Sequence, residues 1–416
     1  MRSATLPFGV RVIYISYDGV LEPLGESQVV SYIERLADEH SITLLSFEKP
    51  ADLADVARLA LMTRRLDGKK IDWIRLRYHK RPPVLSTAYD IWRGMARARK
   101  AARMSDFQVI HARSYVAALI GLAARRASGA SFLFDMRGFW VDEKVEAGHW
   151  RANGWLYRIA KWWERRFFKS ADAIVSLTAE GVRAFPQMGV KPRPNTRIEV
   201  IPTCVDLKRF GPGSKDPQLV ALLGLADATV IGCVGTMGNW YMREEMLHYL
   251  AHLTRSLKGV RILIVTRDDQ VELKRDAQAA GIPAGRLAIT KAPFTDMPRY
   301  MRLFDAGVFF IKPTLSKRGS AATKLAEFLA TGVPVVINAG VGDSGAIVSE
   351  GEVGVVLDTL DAASFEGSVA LLEAALADPG MRDRCRALAA RLFDVDRAAE
   401  RYGQIYRQLV STSAHH

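Results

Sequence analysis

Two doubly wound parallel α/β domains in tandem are the fold class predicted by this 416-residue sequence. Three observations predict it. Short apolar runs alternate with amphipathic stretches, the rhythm occurs twice, and a Pro/Gly-rich join, Phe210-Gly-Pro-Gly-Ser214, separates the halves. Strict strand and helix alternation requires crossover connections, and these give parallel sheets whose strands are buried on both faces.

Taken in order, the first half places buried strands at 10–16, 42–47, 109–111, 132–135, 173–177 and 198–202. Helical patterns lie between them: Val29, Val30, Ile33, Leu36 and Ala37 fall on one face of a 3.6-residue period. The second half repeats the pattern with strands at 229–235, 262–266, 287–289, 305–310, 334–338 and 355–357. The tail 394–410 reads as one long helix. The expected domains are 1–203 and 204–390, followed by a C-terminal helix 391–412. Open parallel sheets bind ligands at the carboxyl ends of their strands, so the expected site is a cleft between the two domains.

Composition narrows the function classes. Cys204, Cys233 and Cys385 are too scattered for a disulfide framework or a zinc site. The longest nearly apolar run, 115–124, is half the roughly 20 residues a membrane-spanning helix needs. The first strand pattern begins at Val10 with no signal sequence before it, so the expected location is the cytoplasm. His415 and His416 read as the stub of a purification tag.

The net charge of +13 is localised. Residues 1–200 hold 33 Lys and Arg against 21 Asp and Glu, a net of +12, and the remainder nets +1. From Arg58 to Arg103, 14 cations face only Asp67, Asp72 and Asp90, a net of +11. The same stretch carries Trp73, Tyr78, Tyr89 and Trp92. Cations beside interfacial aromatics suit the anionic inner face of a membrane. Nucleic acid would want the same charges, but no nucleic-acid-binding motif is present. A second aromatic run, 156–169, leads directly into a strand and reads as a buried packing face.

Three loops carry candidate chemistry. After the first strand, Asp18 to Gln28 contains Gly25 just before a helix, where backbone amides and the helix dipole favour an anion. The matching loop of the second half, Gly232-Cys-Val-Gly235-Thr-Met-Gly238, again suggests a diphosphate approached by backbone. In the stretch 311–338 a Gly/Ser loop opens a helix bearing Ser320, Thr323 and Lys324 for phosphate oxygens and Glu327 for ribose hydroxyls. Taken alone, Lys324 and Glu327 also read as an exposed helix pair.

The segment from Lys324 to Asn338, together with Ile198 to Phe210, Asp172-Ala-Ile-Val-Ser-Leu-Thr178, Leu24-Gly-Glu-Ser-Gln28 and Phe134 to Glu143, resembles the retaining GT-B glycosyltransferases of family 4. The resemblance implies two Rossmann-like domains facing across a cleft, the first for the acceptor and the second for a UDP- or GDP-sugar, with a last helix returning to the first domain. It implies no metal and no cofactor beyond the nucleotide-sugar donor. Glu327 matches the ribose-binding glutamate, while the position of the family's other glutamate is Gly319. The family's cationic pair falls on Thr236 and Tyr241, which leaves Lys324, Arg267 and Arg243 to neutralise the diphosphate. Gly235 and Thr236 belong to the same donor loop. A family His-x-His reads here His111-Ala-Arg113, and with Asp135 and Arg137 these form the expected catalytic set.

The function so implied is transfer of a hexosyl or N-acetylhexosaminyl group, with retention, to a carbohydrate or lipid-linked acceptor in bacterial surface-polysaccharide synthesis. A nucleotide-sugar epimerase on the same architecture and a non-catalytic anionic-polymer binder are the alternatives.

Overall fold

In the computed structural model, which describes residues 9–413, the chain forms two compact units. One is built from the chain up to Pro202 together with the helix Val395–Ser413; the other is Thr203–Asp394. The histidines at 415 and 416 lie outside the described residues. The last helix starts later than expected, because residues 391 and 392 still belong to the helix Met381–Leu392 of the second unit.

The first unit is a seven-stranded parallel sheet: β1 (Arg11–Ser16), β2 (Ser41–Glu48), β3 (Asp72–Arg77), β4 (Val109–Arg113), β5 (Ser131–Asp135), β6 (Ala173–Ser176) and β7 (Arg197–Val200), in the order β3-β2-β1-β4-β5-β6-β7. The second is a six-stranded parallel sheet: β8 (Thr229–Val234), β9 (Val260–Val265), β10 (Leu287–Thr290), β11 (Ala306–Phe309), β12 (Val335–Asn338) and β13 (Gly354–Leu357), in the order β10-β9-β8-β11-β12-β13. Both are doubly wound, as the alternation predicted. The central strands are continuous apolar runs because helices cover both faces: every residue of β4, β5 and β12 is buried.

The strand missed by the sequence reading is β3, whose sequence Asp-Trp-Ile-Arg-Leu-Arg buries only Leu76. An edge strand is half wet, so it lacks the apolar run that marks its neighbours. Its Trp73 is fixed by donating its indole N–H to Ser46 Oγ at 2.7 Å.

The aromatic run 156–169 also departs from expectation. Within the helix Trp155–Ser170, Phe167 and Phe168 are buried against the sheet, while Trp155, Ile159 and Trp162 are exposed. Helical period separates residues 155, 159 and 162 from 167 and 168, so one helix carries two apolar faces and only one of them is covered.

The C-terminal helix packs on the helix Ser31–Leu36 and against β4 and β5. Its own Tyr402, Ile405 and Tyr406 are buried on the face turned to the unit. Rim pairs, Arg401 with Glu199 at 2.7 Å and Arg407 with Glu39 at 2.6 Å, fix its register. Exposed pairs of this kind contribute at most about 1 kcal/mol each. Burial of the aromatic rings, roughly 1.5–3 kcal/mol per side chain, holds the helix down.

Candidate functional site

In the first unit, parallel register sets Ser16, Arg113 and Asp135 side by side at the carboxyl ends of β1, β4 and β5. His111 lies two residues earlier on β4, in the interior. Its ring packs between Tyr14, at 4.2 Å between centroids, and Tyr402, at 5.2 Å. Its Nδ1 is 2.6 Å from the Tyr406 hydroxyl, and its Nε2 is 3.6 Å from Asp135 Oδ2. Burial lowers the imidazole pKa and favours the neutral ring, against the pull of Asp135. With 1% of its surface exposed, His111 contacts the C-terminal helix, not solvent.

Asp135 is likewise 2% exposed, and its Oδ1 carries no hydrogen bond. Burial alone would raise its pKa, but Arg137, at 3.8 Å, together with His111 and Arg113, outweighs burial and keeps the carboxyl below the usual range. Arg137 also donates to Gln28 at 3.4 Å. Arg113 donates to Asp18 at 2.6 Å, and Asp18 is half exposed. The expected catalytic set is thus a buried charge cluster, with its rim at Arg113, Arg137 and Asp18.

Gly25 does not form an anion nest. It is buried with φ −64 inside a helical turn, and a Cβ there would lie 1.9 Å from the Gly19 carbonyl oxygen. Its hydrogen side chain allows the helix start to cross the preceding loop. That loop is ordered by Glu48, which the sequence reading missed: its buried carboxylate accepts the amides of Val20 and Leu21 at 3.0 and 3.1 Å and the Ser46 hydroxyl at 2.6 Å. A buried acid at a strand end, followed in space by a loop rich in free amides, was the available signal.

In the second unit the glycine loop leaves β8 at Gly235, whose φ of +82 needs glycine and turns the chain toward Lys324. The Lys324 ammonium donates to the Thr236 carbonyl at 3.1 Å and lies 3.4 Å from the centre of the Tyr241 ring. Thr236 and Tyr241 are the two positions where the family places cations, so a lysine from the other side of the site stands beside both. Burial pulls the Lys324 pKa down to about 8. Lys317 sits in the same way over Trp240, at 3.7 Å, a cation–π contact the sequence did not announce.

Thr323 and Lys324 open the nine-residue helix Thr323–Thr331. Its N-cap is Ala322, which has no side-chain acceptor for the first-turn amides. Ser320 lies on the turn leading into it. Glu327, one turn in, is partly buried, and its carboxylate makes no hydrogen bond among the described residues. Burial raises its pKa to about 7, against the pull of Lys324 and Arg209. Arg209 itself lies over the Phe294 ring at 4.0 Å.

Two expected phosphate contacts are not available as drawn. Arg243 turns away to Asp276 at 2.7 Å and Glu272 at 3.3 Å on the helix Gln270–Ala279, because that helix presents carboxylates one turn apart. The amides of the glycine loop are largely taken within the chain. Gly235 N–H goes to Val265 O, Met237 N–H to the Asp268 carboxylate at 2.8 Å, and Gly238 N–H to Thr236 Oγ1 at 3.2 Å. Asp268 also accepts the Thr236 hydroxyl at 3.3 Å, so a carboxylate occupies the turn where an anion was expected. Arg267, beside it, is exposed and makes no ion pair among the described residues.

Residues 25–204 match a glycosyl transferase 4-like domain, and residues 228–374 match the glycosyl transferases group 1 domain. The chain belongs to the GT-B glycosyltransferases of the family-4 type. This glycosyltransferase resembles, over nearly its whole length, several solved structures. Anabaena HepE, solved with UDP and glucose, is 16% identical over 95% of this chain and 99% of its own, with a TM-score of 0.68. Sucrose-phosphate synthase from Thermosynechococcus elongatus is 18% identical over 97% of this chain and 100% of its own, at 0.71. WaaG, a glycosyltransferase of lipopolysaccharide biosynthesis, is 16% identical over 95% and 99%, at 0.62. At such identities the likeness shows the shared fold. No curated protein matches the sequence.

Proposed function

We propose that this glycosyltransferase transfers a hexosyl or N-acetylhexosaminyl group, with retention and without a metal, from a UDP- or GDP-sugar to a carbohydrate or lipid-linked acceptor. Bacterial surface-polysaccharide synthesis is the context, at the inner face of the membrane. The single observation that carries the donor assignment is the placement of Lys324 against Thr236 and Tyr241 at the mouth of an uncapped helix, with the Glu327 carboxylate one turn on.

The chemistry follows from the leaving group. As the glycosidic bond breaks, negative charge grows on the diphosphate. The Lys324 ammonium, the first-turn amides of the helix Thr323–Thr331, with Thr323 and Ser320, and the unpaired Arg267 stabilise it. Glu327 accepts the ribose hydroxyls. In front-face attack the departing phosphate takes the acceptor's proton, so no protein base is needed, which is consistent with the interior position of His111. In the first unit Arg113, Arg137 and Asp18 form the polar rim that meets the acceptor, while His111 and Asp135 are positioning residues beneath it.

A thermal-shift panel of UDP- and GDP-sugars tests the donor site. Stabilisation should rise with ligand concentration relative to Kd and vanish in Glu327→Ala. If no nucleotide stabilises the protein, the donor assignment fails and a polymer-binding role takes its place. Conversion of the sugar without any acceptor would mark an epimerase.

A further inference from the structure

We propose that the helices Leu85–Met104 and Trp155–Ser170 form one lipid-binding face, which docks the carboxyl end of the seven-stranded sheet onto an anionic bilayer. The inference deepens the acceptor half of the proposed function and rests on that reading only for the acceptor's being lipid-linked.

Each helix carries an uncovered apolar stripe at helical spacing: Leu85, Tyr89 and Trp92 on the first, Trp155, Ile159 and Trp162 on the second. These six side chains are 48–69% exposed. Among the described residues every exposed Phe, Trp or Tyr lies in these two stripes. Tryptophan and tyrosine outside a core favour the lipid headgroup layer, where an apolar ring can bury while its polar edge stays wet.

Charge makes the surface selective. Each helix has a single carboxylate, and both are withdrawn into the interior. Asp90 accepts the His79 amide at 2.9 Å, and Glu164 accepts the Tyr115 hydroxyl at 2.8 Å while pairing with Lys161. What faces solvent is cationic only: Arg97, Arg99, Lys100 and Arg103 on one helix, Arg158, Arg165, Arg166 and Lys169 on the other. The earlier part of the basic stretch is neutralised only in part: Arg58, Arg65 and Lys69 are paired with Asp52, Glu34 and Asp38. Arg64, Lys70, Arg75, Arg77, Lys80 and Arg81 are exposed and make no ion pair among the described residues, so unneutralised charge runs along most of Arg58 to Arg103, and a second helix adds to it.

Topology places the two stripes at the same end of the sheet. Both helices pack on the helix Ser114–Ser128, on one side of the sheet. One follows β3 and the other follows β5, so each begins at the carboxyl end of the strands and runs back toward their start. The stripes occupy the first half of each helix, and hence the end that also carries Arg113 and Arg137. A second copy of the chain would set cation against cation on this face, and nucleic acid would gain nothing from Leu85 and Ile159. An anionic bilayer satisfies both the charge and the aliphatic side chains.

Vesicle flotation tests this. The wild-type chain should float with phosphatidylcholine vesicles containing one-third phosphatidylglycerol, and not with phosphatidylcholine alone. The pair Trp92→Ser with Trp162→Ser, and separately Arg97→Glu with Arg166→Glu, should each reduce partitioning by roughly tenfold or more. All four residues are at the surface, so unfolding temperature and stabilisation by UDP should not change, and a chain that fails to bind UDP would sink the donor reading without touching this one. Absence of flotation, equal flotation on neutral vesicles, or indifference to both variants overturns the proposal. So does sedimentation showing a dimer that the Trp92→Ser, Trp162→Ser pair dissociates while vesicles are ignored.

Discussion

The Lys324 ammonium stands 3.1 Å from the Thr236 carbonyl oxygen and 3.4 Å from the centre of the Tyr241 ring. It places a positive charge beside two loop positions that carry none of their own. Replacing it with methionine keeps most of the volume and removes the charge. UDP affinity should fall about 10- to 100-fold, the range expected for loss of a charge-assisted hydrogen bond. With its pKa lowered to about 8, Lys324 is protonated below that pH and loses its charge above it. Binding titrations should show UDP affinity declining above about pH 8 in the wild type, and no such decline in Lys324→Met.

Asp268 supplies the opposite sign at the same loop, accepting the Met237 amide at 2.8 Å. On the proposed donor reading, a nucleoside diphosphate arriving there would meet a resident carboxylate. Asp268→Asn keeps an oxygen for the amide and removes the charge, so UDP should bind several-fold more tightly; Asp268→Ala loosens the turn and should bind more weakly. Calorimetric Kd values for the two variants on the same side of wild type would rule this account out.

Glu327 is a partly buried carboxyl with no hydrogen bond among the described residues. Its folded pKa, raised by burial to about 7, lies above the ordinary carboxyl value, so its ionisation opposes folding. Its contribution to stability is complete below the unfolded pKa and is lost as pH rises through about 7. Glu327→Gln should therefore be more stable than wild type above pH 7, by about 1–2 kcal/mol, and yet bind UDP less tightly. Denaturant melts at pH 5 and pH 8 check the first half, since the gain should shrink at the lower pH.

His111 Nδ1 and the Tyr406 hydroxyl, 2.6 Å apart, join β4 to the C-terminal helix. Tyr406→Phe leaves a buried ring nitrogen unsatisfied and should cost about 1–3 kcal/mol in urea unfolding. Transfer activity per folded molecule should remain within a few-fold. A large fall in kcat with unchanged stability would return His111 to the chemistry.

Much of this architecture was legible because apolar period reports burial. Strands covered on both faces read as unbroken runs, as in Phe132 to Phe134 and Val335 to Ile337. β3 escaped because an edge strand is half polar, and Trp155, Ile159 and Trp162 were misread because periodicity marks an apolar face without saying what covers it. The helix Thr323–Thr331 was legible from Lys324 to Glu327, since a helix start and a three-residue spacing are local facts. Which partners the candidate residues take was not. Arg243 was drawn to Asp276, the loop amides to Asp268, and His111 to Tyr406, 295 residues away. The sequence by itself determined the two parallel sheets, the family and the position of the charge, because these depend on period, motif and composition. Tertiary structure alone decided which charges are free and which side chains reach solvent, because hydrogen bonds and burial depend on neighbours that the chain brings together only on folding.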